Sequence, residues 1–443
     1  MKLVYNINDK PKFGQLIVFA FQQLLAILAA TIAVPAIVGN GMSQSAALFG
    51  AGIGTIVYLL FTKFKSPVFL GSSFAFLGSM AAAFAGGVSA QLGFAGLILG
   101  AIFAGLVYVV IAIIVKFAGV KWINKLMPAV VIGPTVSIIG LSLAGNAVGD
   151  VMNSGGASLA SPYICIICGL VTLFTVIICS VFGKKTAKLI PFIIGILAGY
   201  AVASIFTVIG IKTGNDALKV INFSVFEGMK AFAIPDYTFL SAAKGLKEMN
   251  AGYVATIAVA YIPVAFVVFA EHIADHKNLS SVIDHELLED PGLHRTLLGD
   301  GVGSMVGALF GGCPNTTYGE SVGCVAITGN ASVITILTTS ILAILISFFG
   351  PFVTFLSTIP GCVMGGVCIT LYGFIAVSGL KMIQKVDLGE NRNLFVVAVI
   401  LICGIGGFSL TFGKVTLTEI ACALILGIIV NLVVSPADKK AKQ

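Results

Sequence analysis

The sequence predicts an all-α polytopic membrane protein: about fourteen transmembrane spans in two inverted seven-span repeats, with short β-strands in the broken spans 3 and 10. Three observations predict this. First, 58% of the 443 residues are hydrophobic and only 10% are charged, with a mean hydropathy of +1.08. A soluble domain carries about 25% charged residues. Second, hydrophobic windows separated by polar breaks begin near Phe13, Ala46, Pro67, Leu92, Leu126, Tyr163, Leu189, Gly252, Leu293, Pro314, Ser332, Pro360, Leu394 and Val415. Third, the chain repeats itself. Met127-Pro128-Ala129-Val130-Val131-Ile132-Gly133 in the fifth span resembles Ile359-Pro360-Gly361-Cys362-Val363-Met364-Gly365 in the twelfth. An offset of seven spans, an odd number, turns the second copy upside down, as in secondary transporters.

In chain order, the first window runs from Phe13 to about Val38, too long for a signal-peptide core, and no convincing cleavage site follows it. It is expected to stay as span 1, where Gln22 and Gln23 serve as helix–helix hydrogen-bond partners or line a site. In span 3, Ser66-Pro67-Val68-Phe69-Leu70-Gly71-Ser72-Ser73-Phe74 opens on Pro and turns polar at Gly-Ser-Ser. Span 10 behaves alike: Gly311-Gly312-Cys313-Pro314-Asn315-Thr316-Thr317-Tyr318-Gly319-Glu320 sets helix breakers and a carboxylate between apolar runs. Irregular backbone at membrane depth is tolerated only where protein buries it or it lines a cavity. Each stretch is expected to run extended and then start a half-helix, with Ser72 or Ser73 and Thr317 as N-caps. Two helix N-termini would then aim at one point, where free N–H groups favour an acceptor or anion.

Sidedness follows from the basic residues. With the N-terminus inside, 19 of the 25 Lys and Arg fall on cytoplasmic segments. Five of the other six (Lys212, Lys219, Lys230, Lys244 and Lys247) sit in the long segment 212–250, and the sixth is Lys414. An even span count with both termini cytoplasmic is expected, in the cell membrane. The net charge of +7 therefore reflects topology and implies no nucleic-acid partner.

Intramembrane ionisable residues are functional-site candidates by default. In span 8, Glu271 and Asp275 share a helix face at i, i+4, as do His272 and His276. The two histidines could chelate a metal with a carboxylate, but no Cys or second acidic cluster completes a site, so neither metal nor cofactor is expected. Asp300 in span 9 reads equally as an interior partner or a capped loop residue. The nine cysteines, Cys165 and Cys168 included, lie almost entirely in apolar runs and read as small buried hydrophobes. No Ser–His, HExxH or GxSxG arrangement points to an embedded hydrolase, so an enzyme is not expected.

At these residues a family becomes recognisable. Phe69-Leu70-Gly71-Ser72-Ser73-Phe74-Ala75-Phe76, Ala270-Glu271-His272, Asp290-Pro291-Gly292-Leu293-His294-Arg295 and Pro314-Asn315-Thr316-Thr317-Tyr318-Gly319-Glu320 resemble the nucleobase–ascorbate transporter family, most closely its bacterial uracil permeases. The resemblance spans essentially the whole chain. It implies residues 1–211 as a first inverted repeat, 212–250 as an extracellular linker and 251–443 as a second repeat. It implies a core domain (13–117 and 251–350) and a gate domain (121–211 and 351–435). It further implies proton-coupled uracil uptake by a homodimer. Glu271 and Glu320 would hydrogen-bond the base, Phe74 and Tyr318 would flank its ring, and backbone near Phe74 and Gly319 would meet its carbonyls. Ser72, Ser73, Thr317, Asp300 and Gln23 would support the site. Glu271 and Asp275 would handle the proton. Two residues depart from the uracil pattern: Asp275 stands where uracil permeases often have His, and Gln23 where a first-span His is usual. Asp275 resembles the purine-transporting branch, which keeps a xanthine or urate symporter as the alternative. Glu320, where xanthine carriers tend to have Gln, favours uracil.

Overall fold

The computed structural model of the chain describes residues 3–119, 122, 126–153, 160–184, 186–412 and 415–435. Lys121, where the expected gate domain begins, and the tail 436–443 lie outside the described residues. The chain begins with helices α1 (Phe13–Val38) and α2 (Gln44–Phe61), strand β1 (Leu70–Ser72), α3 (Leu77–Ala83) behind one 3-10 turn at Phe74–Phe76, and α4 (Ala90–Ala118). It continues with α5 (Ala129–Ser142), α6 (Ala144–Val151), α7 (Pro162–Phe182) and α8 (Pro191–Thr213). Segment 212–250 holds the short α9 (Thr238–Gly245). Then come α10 (Ala251–Ile283), α11 (Leu293–Gly311), β2 (Asn315–Thr317), α12 (Gly319–Thr328), α13 (Val333–Ile346) and α14 (Gly350–Ser357). The chain closes with α15 (Gly361–Ile383), α16 (Asn391–Ile405), a hairpin of β3 (Leu410–Phe412) and β4 (Val415–Leu417), and α17 (Glu419–Val434).

Among the described residues, eight helical stretches are long and apolar enough to cross a membrane. They are α1, α2, α4, α5 with α6, α7, α8, α10 and α15, while α13, α16 and α17 are shorter apolar helices. Helix starts match local chemistry. Ser43, Ser89, Asn250 and Thr418 accept hydrogen bonds from the N–H groups of Ala46, Leu92, Tyr253 and Ala421. One window is corrected: the chain at Val415 is strand, because Val415-Thr416-Leu417 pairs with Leu410-Thr411-Phe412, and helix begins only at Glu419.

Small residues let the helices approach closely where lipid supplies no hydrophobic drive. α2 meets α11 so tightly that a Cβ on Gly50 would lie 2.3 Å from Gly307 O. α5 meets α15 the same way: a Cβ on Gly140 would collide with Tyr372 O. Two packing groups result. α1–α4 and α10–α13 pack among themselves, and α5–α8 pack with α15–α17. Segment 212–250 touches both: Val220 N and Ile221 N donate to Thr207 Oγ1 of α8, and Ala233 N donates to Phe348 O at the end of α13.

Candidate functional site

The two extended stretches meet. β1 and β2 pair antiparallel with Leu70 opposite Thr317, Gly71 opposite Thr316 and Ser72 opposite Asn315. Each then turns into a short helix, so α3 and α12 start at one level inside the protein. Asn315 fixes the pair to its surroundings: its amide donates to Gly50 O at 3.2 Å, and its N–H donates to Ser304 Oγ at 2.9 Å. Backbone that would be orphaned in lipid is thereby satisfied.

The expected caps are not used. Ser73 makes no capping bond and a 3-10 turn follows it; Ser72 lies within β1; α12 is capped by Tyr318 without a side-chain bond. The register explains Thr317: pairing with Leu70 holds its hydroxyl beside α10, where it donates to Asp275 Oδ2 at 2.9 Å.

Beside this sheet lies a cavity of 420 Å³ lined by Glu271 and Asp275 of α10 and by Gly319 and Glu320 of α12. The opposite wall comes from the other packing group and includes Phe192, Phe374 and Met382, with Lys188 and Ser180 also lining the cavity. Glu271 and Asp275 share a face one turn apart, while Glu320 stands in the first turn of α12. A Cβ on Gly319 would lie 3.8 Å from Asp275 Oδ1, so that carboxyl reaches the N-terminus of α12. The arrangement sets carboxyl acceptors beside helix N–H donors, matching a flat ligand with both N–H and C=O edges.

Phe74 and Tyr318 are buried and do not line the cavity. The Tyr318 hydroxyl donates to Ser72 O at 2.8 Å, and its ring lies over Gly71. Phe74 packs edge-on against Tyr372 of α15, with centroids 5.7 Å apart. Tyr372 is the contact that the sequence reading missed; its one signal was the repeat segment Ile359–Gly365, which opens the same helix. Gln23 is structural: its amide donates to Ser321 Oγ, which also accepts from Phe69 N at 3.0 Å. Residues 319–323 spell Gly-Glu-Ser-Val-Gly, the letters of a hydrolase elbow, yet Ser321 is fully buried and committed to these two donors.

Asp300 is an interior partner. It lies wholly buried, and His272 Nδ1 donates to its Oδ2 at 2.7 Å while Thr296 Oγ1 sits 3.0 Å from His272 Nε2. His276 Nδ1 donates to His272 O at 2.8 Å, and Tyr58 OH lies 2.7 Å from His276 Nε2. The four imidazole nitrogens therefore all have protein partners, and the two rings lie tilted by 31° with centroids 4.0 Å apart. This cluster lies behind Glu271, on the side of α10 that faces α2 and α11.

Residues 14–412 match the model described as Permease family (Xan_ur_permease). The chain is 39% identical to the uracil permease of Bacillus caldolyticus, over 100% of this chain and 97% of that protein. It is 37% identical to the uracil permease of Bacillus subtilis (strain 168), over 99% and 97%. Among solved structures it is similar to the transmembrane domain of the cyanobacterial bicarbonate transporter BicA, with a TM-score of 0.66 and 16% identity, covering 96% of this chain and 100% of that one. At that identity the likeness concerns the fold alone.

Proposed function

Since the chain belongs to the nucleobase–ascorbate transporter family of permeases, we propose that it is a secondary active transporter carrying uracil across the cytoplasmic membrane together with protons. The single observation that carries this reading is the convergence of Glu271, Asp275 and Glu320 beside the N-terminus of α12 in one cavity. Uracil presents two ring N–H donors and two carbonyl acceptors on one flat ring. Carboxylates suit the donors, and the free N–H groups at the N-terminus of α12, at Gly319, suit the carbonyls. A site built to pair a polar edge rejects ligands lacking it, because its own groups would be left unpaired.

The proton belongs in the same cavity. Two ionised carboxylates about 6 Å apart repel by roughly 2–3 kcal/mol at an effective dielectric of 20, and one bound proton removes that repulsion. Glu271, inside a continuous helix with Asp275 one turn away, is the coupling group. Glu320, at a helix N-terminus, is the fixed ligand.

The architecture proposed for this cycle is fourteen spans in two inverted repeats, 1–211 and 251–443. A core domain (13–117 and 251–350) carries the carboxylates against a gate domain (121–211 and 351–435), and two copies form a homodimer. Both termini are cytoplasmic, as the basic residues suggest. Lys188 and Ser180 belong to the inside end of α7 and its loop in that orientation, so the cavity opens inward.

Asp275 favours a second reading, a xanthine- or urate-type purine symporter. Competition of labelled uracil uptake by unlabelled bases, in cells lacking their own uracil carrier, separates the two. Uracil should compete best; if xanthine outcompetes it, the purine reading holds.

A further inference from the structure

We propose that residues 3–9 form a positioning strap that clamps the far end of the half-helix carrying Glu320. The proposal rests on the transport reading above. α12 is only ten residues long and ends at Gly329, whose φ of +69° no continuing helix adopts. Its first turn is fixed by the strand pair and by Ser321. The chain turns away there before α13 begins at Val333, and a helix end leaves carbonyls without intrahelical partners.

The N-terminal segment supplies the missing partners. Val4 N and Tyr5 N donate to Gly329 O at 2.8 and 3.2 Å, Ala331 N donates to Tyr5 O at 2.9 Å, and Val333 N donates to Ile7 O at 3.1 Å. Tyr5 and Asn330 form a parallel bridge. Exposure alternates along the segment: Leu3, Tyr5, Ile7 and Asp9 are half-buried, while Val4, Asn6, Asn8 and Lys10 are exposed, the period of an extended strand lying on a surface. Ser332 is the most telling residue. It stands at the N-cap of α13 but makes no capping bond; its hydroxyl donates to Asp9 O at 2.6 Å instead. Tyr5 is anchored in turn, its hydroxyl donating to Gln15 Oε1 of α1 at 2.6 Å.

The other half-helix has an equivalent tie from elsewhere. The Tyr253 hydroxyl of α10 donates to Ala83 O at the end of α3, at 2.7 Å. Both broken spans are thus held at both ends. One face of α12, including Gly323, Cys324 and Ile327, also lines the cavity. Loosening its far end would therefore tilt Glu320 away from its ligand geometry, which affects binding before turnover.

Four variants test this. Tyr5→Pro removes one donor to Gly329, since proline has no N–H, and Ser332→Ala removes the hydroxyl that holds Asp9. Each should raise the KM for uracil about three- to tenfold at unchanged membrane abundance, with Vmax within about twofold. Ser332→Thr should restore the parental KM. A Tyr5→Cys/Asn330→Cys pair, crosslinked with copper phenanthroline, should transport normally, because the strap stays in place. Unchanged KM in both strap-breaking variants overturns the proposal. Arrest by the crosslink overturns it too, because the segment would then be a moving lid. If the unmodified protein takes up no uracil, the functional reading fails on its own. Amide exchange across 319–333 then decides the strap: Tyr5→Pro must accelerate it, and unaltered exchange refutes the clamp.

Discussion

Thr317 donates its hydroxyl to Asp275 at 2.9 Å, tying the extended piece of one broken span to the continuous helix that carries Glu271. The contact joins two roles that the sequence leaves separate. It orients a carboxyl that reaches the N-terminus of α12, and it is made possible by a strand register rather than by a helix cap.

That bond should be needed for uptake. Thr317→Val leaves the carboxyl without a donor worth about 1.5–3 kcal/mol to a charged group, so uracil affinity should fall roughly tenfold. Thr317→Ser should keep most of it. Equal uptake by the Val variant and the parent would mean that the contact does not shape the site.

Glu271→Gln mimics a permanently protonated carboxyl. It should bind uracil and exchange it across the membrane, yet lose accumulation driven by a pH gradient. Counter-flow and gradient-driven uptake in proteoliposomes separate the two activities. A variant that still concentrates uracil would show that the coupling proton resides elsewhere.

Glu320→Gln should greatly weaken uracil binding, because an amide presents one acceptor and adds a donor toward the ring N–H. Isothermal titration with the purified protein reads this directly. Uncoupled transport with intact binding in this variant would reverse the roles assigned to the two glutamates.

Outside the membrane, Lys65 hydrogen-bonds Asp290 at 2.7 Å and holds its carboxyl below the usual carboxylate range. A carboxyl depressed on folding contributes stability that is present above its unfolded value, about 3.9, and is lost as pH falls through the folded value. Asp290→Asn should therefore lower the melting temperature modestly at pH 7, since the pair is half-exposed. The gap to the parent should close on acidification below about pH 4. A gap that widens in acid contradicts the assignment.

Orientation is checked by labelling. A tag beyond residue 435 should react with an impermeant reagent only after the cells are opened. Labelling in intact cells would invert the topology.

The sequence by itself determined the class, because hydropathy and charge spacing are local quantities set by the lipid that each span must meet. It also marked Glu271, Asp275 and Glu320, because a carboxylate inside an apolar run is conspicuous wherever it folds. It placed the breaks in spans 3 and 10 for the same reason, since Gly and Pro act on their own neighbours. Other features rested on partners distant in the chain. Gln23 binds Ser321, Asp300 binds His272, Thr317 binds Asp275, and Tyr372 packs on Phe74. A polar side chain shows locally that it needs a partner, but not which one. The β1–β2 register and the close glycine contacts between helices decide that, by setting which atoms come within hydrogen-bonding distance.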